Sequence, residues 1–140
     1  MIILDTDHVS ILQWDGEPAE RLRQRLVDAS DDWIGVTAIT LEEQARGIIS
    51  RLGQCRTTTE QPKYYARLSS TFRFFGQWKF ADFGDEPAKQ FDALRKVCRS
   101  VGSSDLKIAS IALVNDALLL TANSRDYEKV PGLRFENWLP

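Results

Sequence analysis

Met1-Ile2-Ile3-Leu4-Asp5-Thr6-Asp7 opens the chain with a short, β-branched apolar run that stops at a carboxylate. A run this short, ended by polar residues, reads as a buried strand at residues 2–5. The pattern recurs downstream at Trp33-Ile34-Gly35-Val36, Phe80-Ala81-Asp82-Phe83, Leu118-Leu119-Leu120 and, briefly, near Leu133–Phe135. Helical spacing fills the intervals. A short helix is expected around 7–13, and Gly16-Glu17-Pro18 then breaks the chain before Ala19, Leu22, Leu26 and Val27 mark a helix over 18–29. Thr37 is placed to cap a helix over 38–52, and Tyr64 to Phe75 continues as an aromatic helix after a polar loop at 53–63. Pro87 to Val101 carries Phe91, Leu94, Val97 and Cys98 on one side, and Ser103 or Ser104 is placed to cap a helix over 105–116. Strands alternating with helices predict one α/β domain over 1–140. Its expected form is a three-layer α/β/α fold with a mostly parallel sheet of four or five strands.

Length and composition agree with that reading. A chain of 140 residues with 43% hydrophobic and 27% charged residues can bury a core of its own. The net charge of −2 supplies no global basic field, so any nucleic-acid contact must come from a local basic patch together with a bound cation. Cys55 and Cys98 lack metal-ligand or redox spacing and read as reduced thiols of a cytosolic protein. No signal peptide and no membrane span is expected, because the opening apolar run is only strand-length.

Asp5, Glu43, Asp105 and Asp126 occupy four separate contexts. Asp5 ends the first strand, Glu43 lies in Ile39-Thr40-Leu41-Glu42-Glu43, Asp105 follows Gly102-Ser103-Ser104, and Asp126 follows Thr121-Ala122-Asn123-Ser124-Arg125. In an open parallel sheet, ligand sites gather at the carboxyl ends of the strands. Several acids gathered there repel one another unless a cation is present, and hard oxygen donors favour Mg²⁺ or Mn²⁺. The default chemistry of such a cluster is metal-assisted hydrolysis of a phosphodiester.

The four segments, in order, resemble the PIN-domain ribonucleases, and above all the VapC-type toxins of toxin–antitoxin pairs. Leu4-Asp5-Thr6-Asp7 matches the family's opening strand and Leu-Asp-Thr-Asn/Asp. Glu43 and Gly47 match its second acid and the glycine four residues on. Gly102, Asp105, Ile108 and Ala109 match Gly-x-x-Asp-x-x-Ile-Ala. Thr121, Asn123, Asp126, Tyr127, Gly132, Leu133 and Trp138 match the closing block. Three positions depart from the pattern: Asp7 stands for Asn, Gln44 for an apolar residue, and Tyr127 for Phe.

The resemblance implies a Mg²⁺- or Mn²⁺-dependent endoribonuclease toxin of the cytoplasm, acting on RNA such as tRNA or rRNA. It implies a cognate VapB-like antitoxin and a homodimer. Asp5 and Asp105 become the expected direct metal ligands, with Glu43 and Asp126 completing the shell or orienting water. Thr6, Asp7, Arg46, Asn123 and Arg125 become candidates for supporting contacts or for holding phosphate.

The residues also admit plainer readings. Asp7 is preferred as the N-cap of the first helix over a place in the metal site. A helical wheel for 38–52 puts the apolar stripe through Ala38, Leu41, Ala45, Ile48, Ile49 and Leu52, which turns Glu43 toward solvent and leaves Glu42 nearer the stripe. The motif favours Glu43. Asn123 competes with Asp126 as the fourth site residue. His8 reads as structural. Trp14, Trp33 and Trp138 read as packing anchors. The segment Tyr64–Lys79 interleaves aromatics with bases, and a partner or dimer surface is preferred there over an RNA surface.

Two other functions compete. Asp5-Thr6-Asp7-His8-Val9 also fits the opening of haloacid dehalogenase-like phosphatases, but the chain lacks their downstream Lys and Gly-Asp-x-x-x-Asp loop. A catalytically inactive PIN scaffold that only binds a partner is the second, and four filled acidic positions argue against it.

Overall fold

A computed structural model describes residues 1–140. The strands are β1 (Ile2–Leu4), β2 (Ile34–Thr37), β3 (Lys79–Ala81), β4 (Leu118–Leu120) and β5 (Arg134–Glu136). The helices are α1 (Thr6–Leu12), α2 (Glu17–Ala29), α3 (Ala38–Gln54), α4 (Pro62–Phe75), α5 (Asp85–Arg95), α6 (Ser103–Val114) and the single turn α7 (Ser124–Tyr127). The expected loop at 53–63 holds one 3₁₀ turn, Thr58–Glu60, closed by a reciprocal capping box between Thr57 and Glu60.

All five strands are parallel, in the order β3-β2-β1-β4-β5. The chain builds outward from β1 to β3 on one side, then crosses to the other side for β4 and β5. The β1–β4 boundary is therefore the point where strand order reverses, and in open α/β sheets the crevice beyond the strand ends at that point is where ligands bind.

The period-2 alternation of β1 sorts its side chains onto the two faces. Ile3 joins the core formed with α5, α6 and Tyr127, whereas Ile2 and Leu4 join the core formed with α1, α2 and Phe75 of α4. Two cores on two faces make the expected three layers. Helix α6 sits at the heart of the first core, with Leu106, Ile108, Ala109, Ile111 and Ala112 fully buried. Gly35 is required by close approach: a Cβ there would lie 2.4 Å from the Lys79 carbonyl oxygen and against the Trp33 ring.

Several local expectations are corrected. Asp5, not Asp7, is the N-cap of α1 and accepts from the Thr6 N–H. Gly102 caps α6 without a side-chain bond, and both serines fall inside its first turn. Helix α5 ends at Arg95 instead of running to 101, so Val97 is exposed while Cys98 remains buried. Trp14 is 65% exposed and anchors nothing, although Trp33 and Trp138 do pack against the cores. Thr37 caps α3 as expected, accepting from the Thr40 N–H at 3.2 Å.

Candidate active site

β1 carries its chain straight into the site. Asp5 is the first residue beyond the strand and is 5% exposed. Its carboxylate accepts from the Thr6 N–H at 2.7 Å and from the Thr121 hydroxyl, at the end of β4, at 2.8 Å. Burial is the largest influence on this group and pushes its carboxyl up to about 6; the two hydrogen bonds oppose the rise, and the charges of Asp7 and Asp105 add to it.

Glu43 projects from α3 toward the same crevice. Burial, followed by the charges of Asp5 and Asp105, pushes its carboxyl up to about 7. Its Oε1 is buried without a hydrogen-bond partner. The Thr6 hydroxyl, close by but outside hydrogen-bonding geometry, draws the pKa back down and is itself unpaired. Glu42 is exposed and pairs with Arg46 at 2.6 Å, so neither reaches the crevice. The wheel misplaced Glu43 because Ile49, counted in the apolar stripe, is 58% exposed, whereas Ile39 and Thr40 are buried. Glu43 follows Ile39 by four residues and so shares its face.

Asp105 sits in the first turn of α6, where the helix dipole favours negative charge. Burial first, then the charge of Asp126, hold its carboxyl above the usual range. Asn123 bridges Asp105 and Asp126: its amide nitrogen donates to Asp105 Oδ2 at 3.2 Å and to Asp126 Oδ2 at 3.1 Å. Lys129 lies 3.6 Å from the other Asp126 oxygen. Arg125 is exposed and has no carboxylate partner.

Asp7 holds the site together from behind. It accepts from the Ala122 N–H at 2.8 Å and from its neighbour's ring, His8 Nδ1, at 2.6 Å. Burial opposes its ionisation, but the hydrogen bonds from His8 and Ala122 together outweigh it and hold the carboxyl below its ordinary value. The fully buried His8 accepts the Trp138 N–H on Nε2 at 3.1 Å. Its Nδ1 must then carry the proton donated to Asp7. His8 is thus a structural link between the first turn of α1 and the end of the chain.

Two residues of the site were not singled out from the sequence. Thr121 stood in the quoted closing block without a role, yet it ties β4 to Asp5. Tyr127 stood there only as a replacement for Phe. Its ring is fully buried, and its hydroxyl lies 3.4 Å from Asp105 Oδ1. Burial and the charges of Asp5 and Asp105 push the phenol far above the usual tyrosine range, so it remains a donor to the acids. The signal was available: a buried aromatic that gains a hydroxyl needs a polar partner.

The donor set suits a small hard cation. No group of three or more His, Cys, Asp or Glu side chains is arranged to hold a metal ion by itself. Mg²⁺ does not require one, since it is usually held by one or two carboxylates and keeps several waters. Burial first, and the neighbouring acids after it, raise Asp5, Glu43 and Asp105, and a cation held among them would offset both.

The chain superposes on VapBC2 from Rickettsia felis bound to promoter DNA with a TM-score of 0.73, at 22% identity over 99% of both chains. The chain has the VapC-type PIN fold. VapBC-1 from nontypeable Haemophilus influenzae gives a TM-score of 0.77 at 17% identity, covering 99% of this chain and 98% of that one. DNA-bound VapBC from Salmonella typhimurium gives 0.72 at 23% identity, covering 98% and 97%. In sequence, the chain is 25% identical to Ribonuclease VapC2 of Rickettsia felis over 114 residues, which is 79% of this chain and 78% of that protein. No family model matches. The shared fold accounts for the all-parallel sheet.

Proposed function

We propose that this protein is a VapC-type endoribonuclease, the toxin of a toxin–antitoxin pair, which cleaves RNA with the help of Mg²⁺ or Mn²⁺. The observation that carries the reading is the assembly of Asp5, Glu43, Asp105 and Asp126 at the switch point of the sheet, with Glu43 Oε1 buried and unpaired. The sequence likeness to a ribonuclease and the fold shared with toxin–antitoxin complexes support it.

In this reading Asp5 and Asp105 hold the cation, each already oriented: Asp5 by Thr121 and the Thr6 N–H, Asp105 by Asn123 and Tyr127. The ion, when bound, supplies positive charge to the scissile phosphate and acidifies water. Glu43 Oε1 is the free acceptor for a proton from the attacking water. Asp126, through Asn123, fixes the far wall of the crevice. Asp7 holds the β4–α7 turn in place and does not ligate.

A VapB-like antitoxin and a homodimer belong to the same proposal, as does a cytoplasmic location. No helix is long and apolar enough to cross a membrane. The test is incubation of the purified protein with total cellular RNA, with and without Mg²⁺ or Mn²⁺, followed by mapping of fragment ends. Discrete cation-dependent cuts are expected. Their absence over a full range of cation concentrations would favour the inactive binding module.

A further inference from the structure

We infer that the groove between α1, α3 and α4 is the track along which single-stranded RNA reaches the acidic crevice. The inference rests on the ribonuclease reading of that crevice and adds to it where the substrate lies. The groove is open, has a volume of about 700 Å³, and includes Glu43 in its wall. It therefore meets the acidic site at Glu43.

Its walls are cationic although the chain is not. Arg51 of α3 and Lys63 and Arg67 of α4 line it, and Glu43 is its sole acidic lining residue. None of the three cations has a carboxylate within ion-pair distance. In a chain of net charge −2, three unpaired cations gathered along one groove are a local basic patch, complementary to a phosphodiester backbone. Aromatic surface accompanies the charge. Tyr64 and the 65% exposed Trp14 line the same groove, and Lys63 Nζ lies 5.0 Å from the centre of the Tyr64 ring. An exposed indole and a half-buried phenol ring beside unpaired cations are the kind of surface on which unstacked bases stack.

Gly47 marks a place where the groove can be filled. Glu43, Gly47 and Arg51 recur every four residues and form one stripe of α3. A glycine inside a helix costs about 1 kcal/mol relative to alanine. A Cβ at Gly47 would meet nothing within 4 Å. The position opens onto the groove, so a larger side chain there would stand between Arg51 and Glu43.

The test is fluorescence anisotropy of a labelled twelve-nucleotide oligouridylate titrated with the full chain in EDTA, so that binding is read without cleavage. Replacing Arg51, Lys63 and Arg67 together by Ala is expected to weaken binding at least tenfold. It should also flatten the dependence of log K on log salt by about 2, given roughly 0.7 per phosphate contact on single strands. Gly47→Leu, which fills the groove and favours the helix, is expected to weaken binding at least fivefold with melting temperature unchanged or raised. Unchanged RNA affinity in both variants would overturn the inference, as would no RNA binding by the unmodified chain. Retained RNA affinity with lost affinity for the antitoxin encoded beside the gene would assign the groove to a protein partner and also overturn it. Failure of the ribonuclease reading is separately visible as absence of cation-dependent cleavage by the unmodified chain.

Discussion

The Thr121 hydroxyl donates to Asp5 Oδ2 across 2.8 Å, joining two residues 116 positions apart. It crosses the β1–β4 boundary, where strand order reverses, and orients the most buried acid of the site. Thr121→Val keeps the shape and removes the donor. Hydrogen bonds to charged groups contribute roughly 1.5–3 kcal/mol, so cleavage at neutral pH should fall about tenfold or more. The Asp5 carboxyl, already pushed up to about 6, should titrate higher still. A pH–rate profile, with carboxyl titration followed by carbon NMR, checks both; an unmoved profile would show that the bond does not govern Asp5.

Glu42 and Glu43 are neighbours with opposite surroundings. Glu43→Gln should reduce cleavage at least tenfold, about 1.4 kcal/mol of transition-state stabilisation. Glu42→Gln removes only an exposed pair with Arg46 and should leave the rate within about twofold. Parallel single-turnover assays of the two variants decide between them, and the reverse order would return Glu43 to the solvent face.

The metal-free protein should lose stability as pH rises from about 4 to about 7. Asp5 and Glu43 have folded-state values of about 6 and about 7, above their unfolded ones, and Asp105 is raised as well. In that window the folded chain binds more protons than the unfolded chain, so stability is fullest below the unfolded values and declines as each group ionises. For the well-buried Asp5 the shift corresponds to roughly 3 kcal/mol. Asp7, held low, acts in the opposite sense and only as pH falls below about 4, the ordinary aspartate value. Thermal melts in EDTA should thus show a higher midpoint at pH 5 than at pH 8, and Mn²⁺ in place of EDTA should narrow the gap. A midpoint that rises with pH through this window would contradict the assignment of buried, neighbouring acids whose ionisation the fold opposes.

His8 is a structural link, with Asp7 on one side and the Trp138 N–H on the other. His8→Leu leaves a buried N–H unpaired and removes a partner from Asp7, at a cost of about 2–4 kcal/mol. Melting should fall by several degrees while cleavage per folded molecule, assayed at low temperature, changes little. Complete loss of cleavage in a fully folded variant would make His8 part of the chemistry.

The order of strands and helices was legible because periodicity and caps are local. β1 ending at Asp5, Thr37 capping α3 and the short run Leu118–Leu120 each announce themselves within a few residues. What was not legible depends on the third dimension. The wheel of α3 misread Glu43 because it treats the helix as having one buried face, whereas α3 packs through Ile39 and Ile48 and turns Glu43 into a crevice. Asp7 looked like a cap because Asp is a good one, but Asp5 took that place and left Asp7 to reach Ala122, 115 positions away. Trp14 looked like an anchor by residue type alone, and its position after the last turn of α1 leaves it in the open groove. Tyr127 differs from the expected Phe by one hydroxyl, whose meaning is visible only with Asp105 beside it.

Growth offers a readout independent of purified material. If the chain is a VapC-type toxin, its expression should arrest bacterial growth, and co-expression of a cognate VapB-like antitoxin should restore growth. Arrest that survives Asp5→Asn would place toxicity outside the acidic site.

The most direct measurement is cleavage of total cellular RNA by the full chain across Mg²⁺ and Mn²⁺ concentrations, with Asp5→Asn and Asp105→Asn in parallel and each variant's fold verified by circular dichroism. Amide replacement keeps the shape and removes the charge that holds the cation. The account predicts cation-dependent cuts by the unmodified protein and none by either folded variant; near-normal, cation-dependent cleavage by either one would contradict it.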